Sequence, residues 1–146
     1  MDANAQTLLQ DILRRESRSV FRYVAEAFPW INSSEEKALS ELQGLLAAER
    51  QAVVELGQFL VRRHVPLPFI PSYPANFTTI NFLALDYVLP LLVERERQSI
   101  ADLERDLACL KDPAARAEVE KLLAVKLKHL PAYQALVPAH SQASLT

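Results

Sequence analysis

The chain reads as an all-α protein, an antiparallel four-helix bundle with one long crossover between its second and third helices. Three observations predict this. Apolar residues recur at three-and-four spacing through four long segments, the pattern of helices that each bury one face. The first and third connections are short. The second, His64–Thr78 (HVPLPFIPSYPANFT), carries four prolines, which forbid a helix and favour extended chain. A segment of this length reaches up to roughly 45 Å, and a helix as long as the second spans about 40 Å. The crossover can therefore run the length of the bundle and start the next helix at the far end.

The first helix is expected over about Asn4–Phe28, with Leu9, Leu13, Val20, Val24 and Ala27 as its buried stripe. Glu16 falls in mid-stripe. Arg15, Arg18 and Arg22 form a basic row beside it, read as a solvated face in preference to an anion site. Pro29 ends the helix, and Trp30 and Ile31 are expected to pack over the bundle end. Ser33 and Glu36 make a capping box for a second helix running to about Arg63. Its stripe is Ala38, Leu42, Leu45, Glu49, Ala52, Leu56 and Phe59 or Leu60, again interrupted by one acid. Gly44 and Gly57 cost this helix stability, so close approach to a neighbouring helix is their expected use.

Within the crossover, Phe69, Ile70, Tyr73 and Phe77 read as packing residues. A third helix follows over about Thr79–Leu110, faced by Phe82, Leu85, Leu89, Leu92, Ile100, Leu103, Leu107 and Leu110. Glu96 interrupts that face, and Glu94 lies on a weaker stripe with Tyr87 and Leu91; either acid can be the core-facing one. Pro90 should kink the helix. Asp112 caps a fourth helix with Pro113 at its first position, and Pro131 is expected to kink or end it early. Its stripe, Val119, Leu122, Leu123, Leu127, Leu130 and Tyr133, contains Lys126 and His129. A lysine on a buried face needs a partner.

Composition narrows the function. The chain has 146 residues, 50% hydrophobic, with a formal charge of −2. That suits a single domain over 1–146, with its core at about 4–137 and a polar tail over 138–146. The balance of 16 basic and 18 acidic residues argues against a general nucleic-acid binder. No apolar run spans a bilayer and the N-terminus is not a signal peptide, so no membrane contact and a cytoplasmic location are expected. Three histidines and the lone Cys109 exclude a thiolate-rich zinc site. The two glycines exclude a phosphate loop or dinucleotide fingerprint, and no GxSxG elbow occurs.

Each expected helix thus carries a polar residue in mid-stripe: Glu16, Glu49, Glu96 and Lys126, with His129 one turn on. In an up-down bundle with one crossover these would meet in one layer. Here the sequence resembles the ferritin-like di-iron carboxylate superfamily, its rubrerythrin-like branch above all. That architecture sets one Glu on each of two helices and Glu-x-x-His on the other two, with one long crossover. Glu16 in ESRSVFRY and Glu96 in ERQSIADL resemble the lone glutamates. ERQA, Glu49–Ala52, takes the first Glu-x-x-His position with Ala in place of His. KLKH, Lys126–His129, takes the second with Lys in place of Glu.

The resemblance implies a vestigial metal site of Glu16, Glu49, Glu96 and His129, with Lys126 as internal counter-charge. A protonated lysine cannot coordinate and repels a cation, yet it can neutralise buried carboxylates. No cofactor is expected, the alternative being iron or manganese. The implied function is a non-catalytic ferritin-like protein acting as a homo-oligomer or partner-binding module. The alternative is a residual metal-binding oxidoreductase or metal-storage protein.

Overall fold

The computed structural model of the chain describes residues 1–26, 31–75, 77 and 84–138. Helices account for most of it: α1 (Ala3–Ser17), α2 (Val20–Glu26), a 3-10 turn (Ser33–Glu35), α3 (Glu36–Arg62), α4 (Leu85–Cys109) and α5 (Pro113–Leu136). No strand forms among the described residues. α5 packs on both α3 and α4, α1 packs on α3, and α2 packs on α3 and α4.

α1 starts where Asp2 accepts a hydrogen bond from the Ala5 N–H at 2.7 Å, satisfying one of the helix's free donors. The single first helix expected over Asn4–Phe28 is instead two pieces. The Ser17-Arg18-Ser19 run breaks it, with the Ser19 N–H bonded only back to the Glu16 carbonyl at 3.4 Å. Serines next to a helix turn compete for its backbone groups, and no proline or glycine marks the break. Leu9, Leu13, Val20 and Val24 are buried as expected, and so are Ile12 and Phe21. Ala27–Trp30 lie outside the described residues.

The capping box lies one residue earlier than expected. Asn32, not Ser33, accepts from the Ser34 N–H at 3.0 Å, and Glu35, not Glu36, accepts from the Asn32 N–H at 3.1 Å. Along α3 the buried stripe runs through Leu42, Leu46, Glu49, Val53, Leu56, Phe59 and Leu60, so Leu46 and Val53 take the places expected of Leu45 and Ala52. Neither glycine serves a close approach. A Cβ on Gly44 would meet nothing within 4 Å, and one on Gly57 would lie 3.9 Å from Leu13, an ordinary contact. α3 closes on His64, whose φ of 57° is left-handed. The Val65 N–H then reaches back to the Leu60 carbonyl at 2.9 Å and Val65 is buried, the hydrogen bond and apolar contact of a Schellman cap.

Beyond that cap the proline-rich chain follows α1 and then α2. Gln10 donates to the Pro66 carbonyl at 2.7 Å and Arg14 to the Phe69 carbonyl at 3.4 Å. The rings of Tyr73 and Phe77 meet Tyr23 at 5.1 and 5.7 Å. Tyr73 and Phe77 are therefore packing residues as expected. Phe69 is not: it is 82% exposed, and Ile70 is 39% exposed, because only their backbone faces α1. Thr79–Leu83 fall outside the described residues. α4 carries Pro90 in its interior. Asp112 caps α5, accepting from the Ala115 N–H at 2.9 Å. Pro131 does not end α5, which continues to Leu136. Burial of Tyr133 and Val137 offsets the roughly 3 kcal/mol that an interior proline costs.

The buried apolar residues form two clusters. The first joins Leu9, Ile12 and Leu13 to Val53, Leu56, Phe59, Leu60, Leu103, Leu107, Val119 and Leu122. The second joins Val20, Phe21 and Val24 to Leu42, Leu46, Leu85, Val88, Leu89, Leu92, Val93 and Tyr133. Between the two clusters each helix buries polar residues: Glu16 between Leu13 and Val20, Glu49 between Leu46 and Val53, Glu96 and Ser99 between Val93 and Leu103, Lys126 and His129 between Leu122 and Tyr133.

Candidate functional site

Glu16, Glu49, Glu96, Lys126 and His129 are all buried, and the structure brings all five together. Each is delivered by helical spacing: an apolar stripe that faces the interior carries its one charged member inward as well. Lys126 Nζ lies 2.8 Å from Glu49 Oε2, 3.0 Å from Glu96 Oε1 and 3.2 Å from Glu16 Oε2. Three donor directions on an ammonium thus meet carboxyl groups from three different helices. The Phe21 ring closes the remaining side, its centroid 4.8 Å from Nζ. Of the two acids on α4, Glu96 faces the core with 0% exposure. Glu94 points outward, its side chain 70% exposed and 3.9 Å from Arg97.

Glu49 is the hub. Its Oε1 accepts from His129 Nδ1 at 3.3 Å and from the Tyr133 hydroxyl at 3.5 Å, while Oε2 accepts from Lys126. Burial pulls its pKa upward, but hydrogen bonds from His129 and Glu96 and the Lys126 charge outweigh that and lower it to about 2. Glu96 goes the other way. Burial, with a hydrogen bond to anionic Glu49, raises its pKa to about 10 against the pull of Lys126. Two adjoining carboxyls in a dry site cannot both ionise cheaply. Glu96 Oε2 has no hydrogen-bond partner among the described residues. Burial disfavours the Lys126 ammonium, yet the charges of Glu16, Glu49 and Glu96 hold its pKa above the ordinary lysine range. Burial and the neighbouring carboxylates likewise push the Tyr133 phenol up.

Three participants carry no signal in the sequence pattern. Ser99, one turn from Glu96, donates to Glu16 Oε1 at 2.7 Å. Tyr133 read only as an apolar stripe member, and Phe21 lay off the expected stripe. Arg15, read as solvated, instead bonds Asp106 at 2.9 Å and lies 3.7 Å from Glu16. Only the pairing across helices distinguishes it from its neighbours.

Glu49, Glu96 and His129 each offer a ligand atom, all within 4.8 Å of one another. The residues present nevertheless do not fit a di-iron centre. Lys126 Nζ occupies the space that the carboxyl oxygens surround. Ala52 has no donor, so one imidazole is missing from the set such a centre needs.

No protein-family model, no curated protein and no solved structure matches this chain. Fold and site together define an all-helical protein with a lysine-neutralised carboxyl cluster at its centre. Among the described residues no helix is long and apolar enough to cross a membrane.

Proposed function

We propose that the chain is a ferritin-like four-helix bundle whose di-iron site has been converted into a metal-free structural core, with the Lys126 ammonium standing where the metals' charge would be. One observation carries this: a single buried cation within 3.2 Å of carboxyl groups from α1, α3 and α4. The bundle topology draws support from the order of the two apolar clusters. The first helical segment and α5 pass from the first cluster to the second, whereas α3 and α4 pass from the second to the first. Helices α3 and α4 then run the same way, which requires the long crossover that the proline-rich segment along α1 and α2 supplies.

On this reading the protein is not an enzyme and works through its surface, as a homo-oligomer or partner-binding module. Large apolar side chains remain outside the core: Phe69 is 82% exposed, Tyr87 71%, Val61 57% and Leu67 55%. Exposed groups of this kind commonly meet another chain. A second reading, one cation held by Glu49, Glu96 and His129, rests on the closeness of their ligand atoms and requires Lys126 to lose its proton or leave. Elemental analysis after loading with iron and with manganese, alongside light scattering, tests both. The expected result is substoichiometric metal on a dimer or larger assembly. One tightly held metal per chain would sink the charge-replacement reading, and a monomer at high micromolar concentration would sink self-association.

A further inference from the structure

A cavity of about 520 Å³ lies on the surface between α1, the start of α2, α4 and the proline-rich segment. That size suits a small organic ligand. Part of its wall is apolar, from Val20, Phe21, Pro74 and Phe77. The rest is charged, and the charges are not balanced in their commitments. All three lining acids are engaged: Asp11 with Arg14 at 2.8 Å, Glu16 with Lys126 and Ser99, Asp102 with Gln98 and Arg105. Two of the lining arginines are engaged as well, Arg14 with Asp11 and Arg15 with Asp106.

Arg18 and Arg95 also line the cavity, and among the described residues neither has an ion-pair partner. Arg18 Nε is buried and meets no hydrogen-bond acceptor there. A guanidinium on a cavity wall with no ion-pair partner is free to take an anion through its outward nitrogens. We propose that this cavity binds an amphiphilic organic anion, a carboxylate or phosphate head on Arg18 and Arg95 with an apolar body against Phe21 and Phe77. Guanidinium suits either head group, because its planar fork matches two oxygens at once. Glu16 at the inner end disfavours the head there and leaves the apolar wall for the tail. The site uses the outward side of the basic row and does not depend on whether the central cluster holds a metal.

Isothermal titration of the full chain with octanoate, octyl phosphate, octylammonium and inorganic phosphate tests this. Octanoate or octyl phosphate is expected to bind with a dissociation constant of ~1 mM or tighter; octylammonium is not. Arg18→Gln, checked for folding by circular dichroism, is expected to weaken binding roughly tenfold or more, the loss of a charge-assisted pair. Should that variant not fold, exposed Arg95→Gln serves the same purpose. Arg62→Gln, on a different face, is expected to leave affinity unchanged. Absence of binding by both amphiphilic anions would overturn the proposal. So would octylammonium binding as tightly, an undiminished affinity in the folded Arg18 or Arg95 variant, or equal weakening by Arg62→Gln. Inorganic phosphate binding as well as octyl phosphate would show that no apolar body is recognised, and would overturn it too.

Discussion

Replacing Lys126 by methionine removes the charge at the centre while keeping most of the packed stem. Glu49 then loses its closest partner, at 2.8 Å, in a site where Lys126 is 0% and Glu49 3% exposed. Breaking a buried pair by deleting one partner costs about 3–5 kcal/mol. Protonation limits the loss. A glutamate with an ordinary pKa of 4.5 takes up a proton at pH 7 for about 3.4 kcal/mol, from 2.5 pH units at 1.36 kcal/mol each. The expected deficit at pH 7 is therefore about 3–4 kcal/mol. In the natural protein the Glu49 pKa is depressed to about 2, so its stabilisation is present above about pH 4.5 and is lost as pH falls through about 2. In Lys126→Met the native state instead holds the proton, and stability rises as pH falls from 7 toward 5. The deficit should then shrink by about 2.7 kcal/mol, to roughly 1 kcal/mol at pH 5. Urea denaturation followed by circular dichroism at both pH values measures it. A deficit under about 1 kcal/mol at pH 7, or one no smaller at pH 5, would refute the reasoning. Lys126→Ala should cost more, by roughly 0.8 kcal/mol for each lost methylene contact.

Glu96→Gln is expected to stabilise at pH 7, since glutamine mimics the protonated acid without the proton uptake that folding demands of a carboxyl with an ordinary pKa of 4.5, whereas Glu49→Gln should cost about 3 kcal/mol; denaturation midpoints compare them. The raised pKa of Glu96, about 10, contributes stability fully present below about pH 4.5 and lost as pH rises through about 10. Glu96→Gln should flatten that decline, between about pH 4.5 and 10, in the pH profile. Gly44→Ala, at an exposed position in α3 with nothing within 4 Å of the new methyl, should stabilise by about 0.5–1 kcal/mol, seen as a higher melting temperature. Lys126→Glu with Ala52→His restores Glu-x-x-His to both α3 and α5; if folded, it should bind iron or manganese under loading that leaves the natural protein substoichiometric. Ala52 is only half-buried, which eases the overpacking risk of the larger ring.

The core site was readable because helical periodicity makes a charged residue on an apolar stripe conspicuous, as at Glu49 and Lys126. Glu96 was distinguished from Glu94 only by the structure, since the α4 pattern admits two stripes two residues apart. The α3 stripe drifts from Leu45 to Leu46 and from Ala52 to Val53, a rotation of one position that periodicity alone does not resolve. The helix break at Arg18–Ser19 left no trace because neither residue is a strong breaker. Phe69 misled because an aromatic among prolines suggests packing, while the direction of an extended chain decides which side chains turn inward. Arg15 and Arg18 looked alike in the sequence. Their difference comes from Asp106, 91 positions away from Arg15.

The charge on Lys126 itself is the point on which the rest depends. Heteronuclear NMR of the Nζ nitrogen, followed from neutral to alkaline pH in the full chain, reads it directly. The expected signal is that of an ammonium whose protons exchange slowly with solvent, persisting to a pH above the ordinary lysine range. A neutral amine at pH 7, or loss of the ammonium signal within the ordinary lysine range, would contradict the assignment of Lys126 as the counter-charge of the buried glutamates.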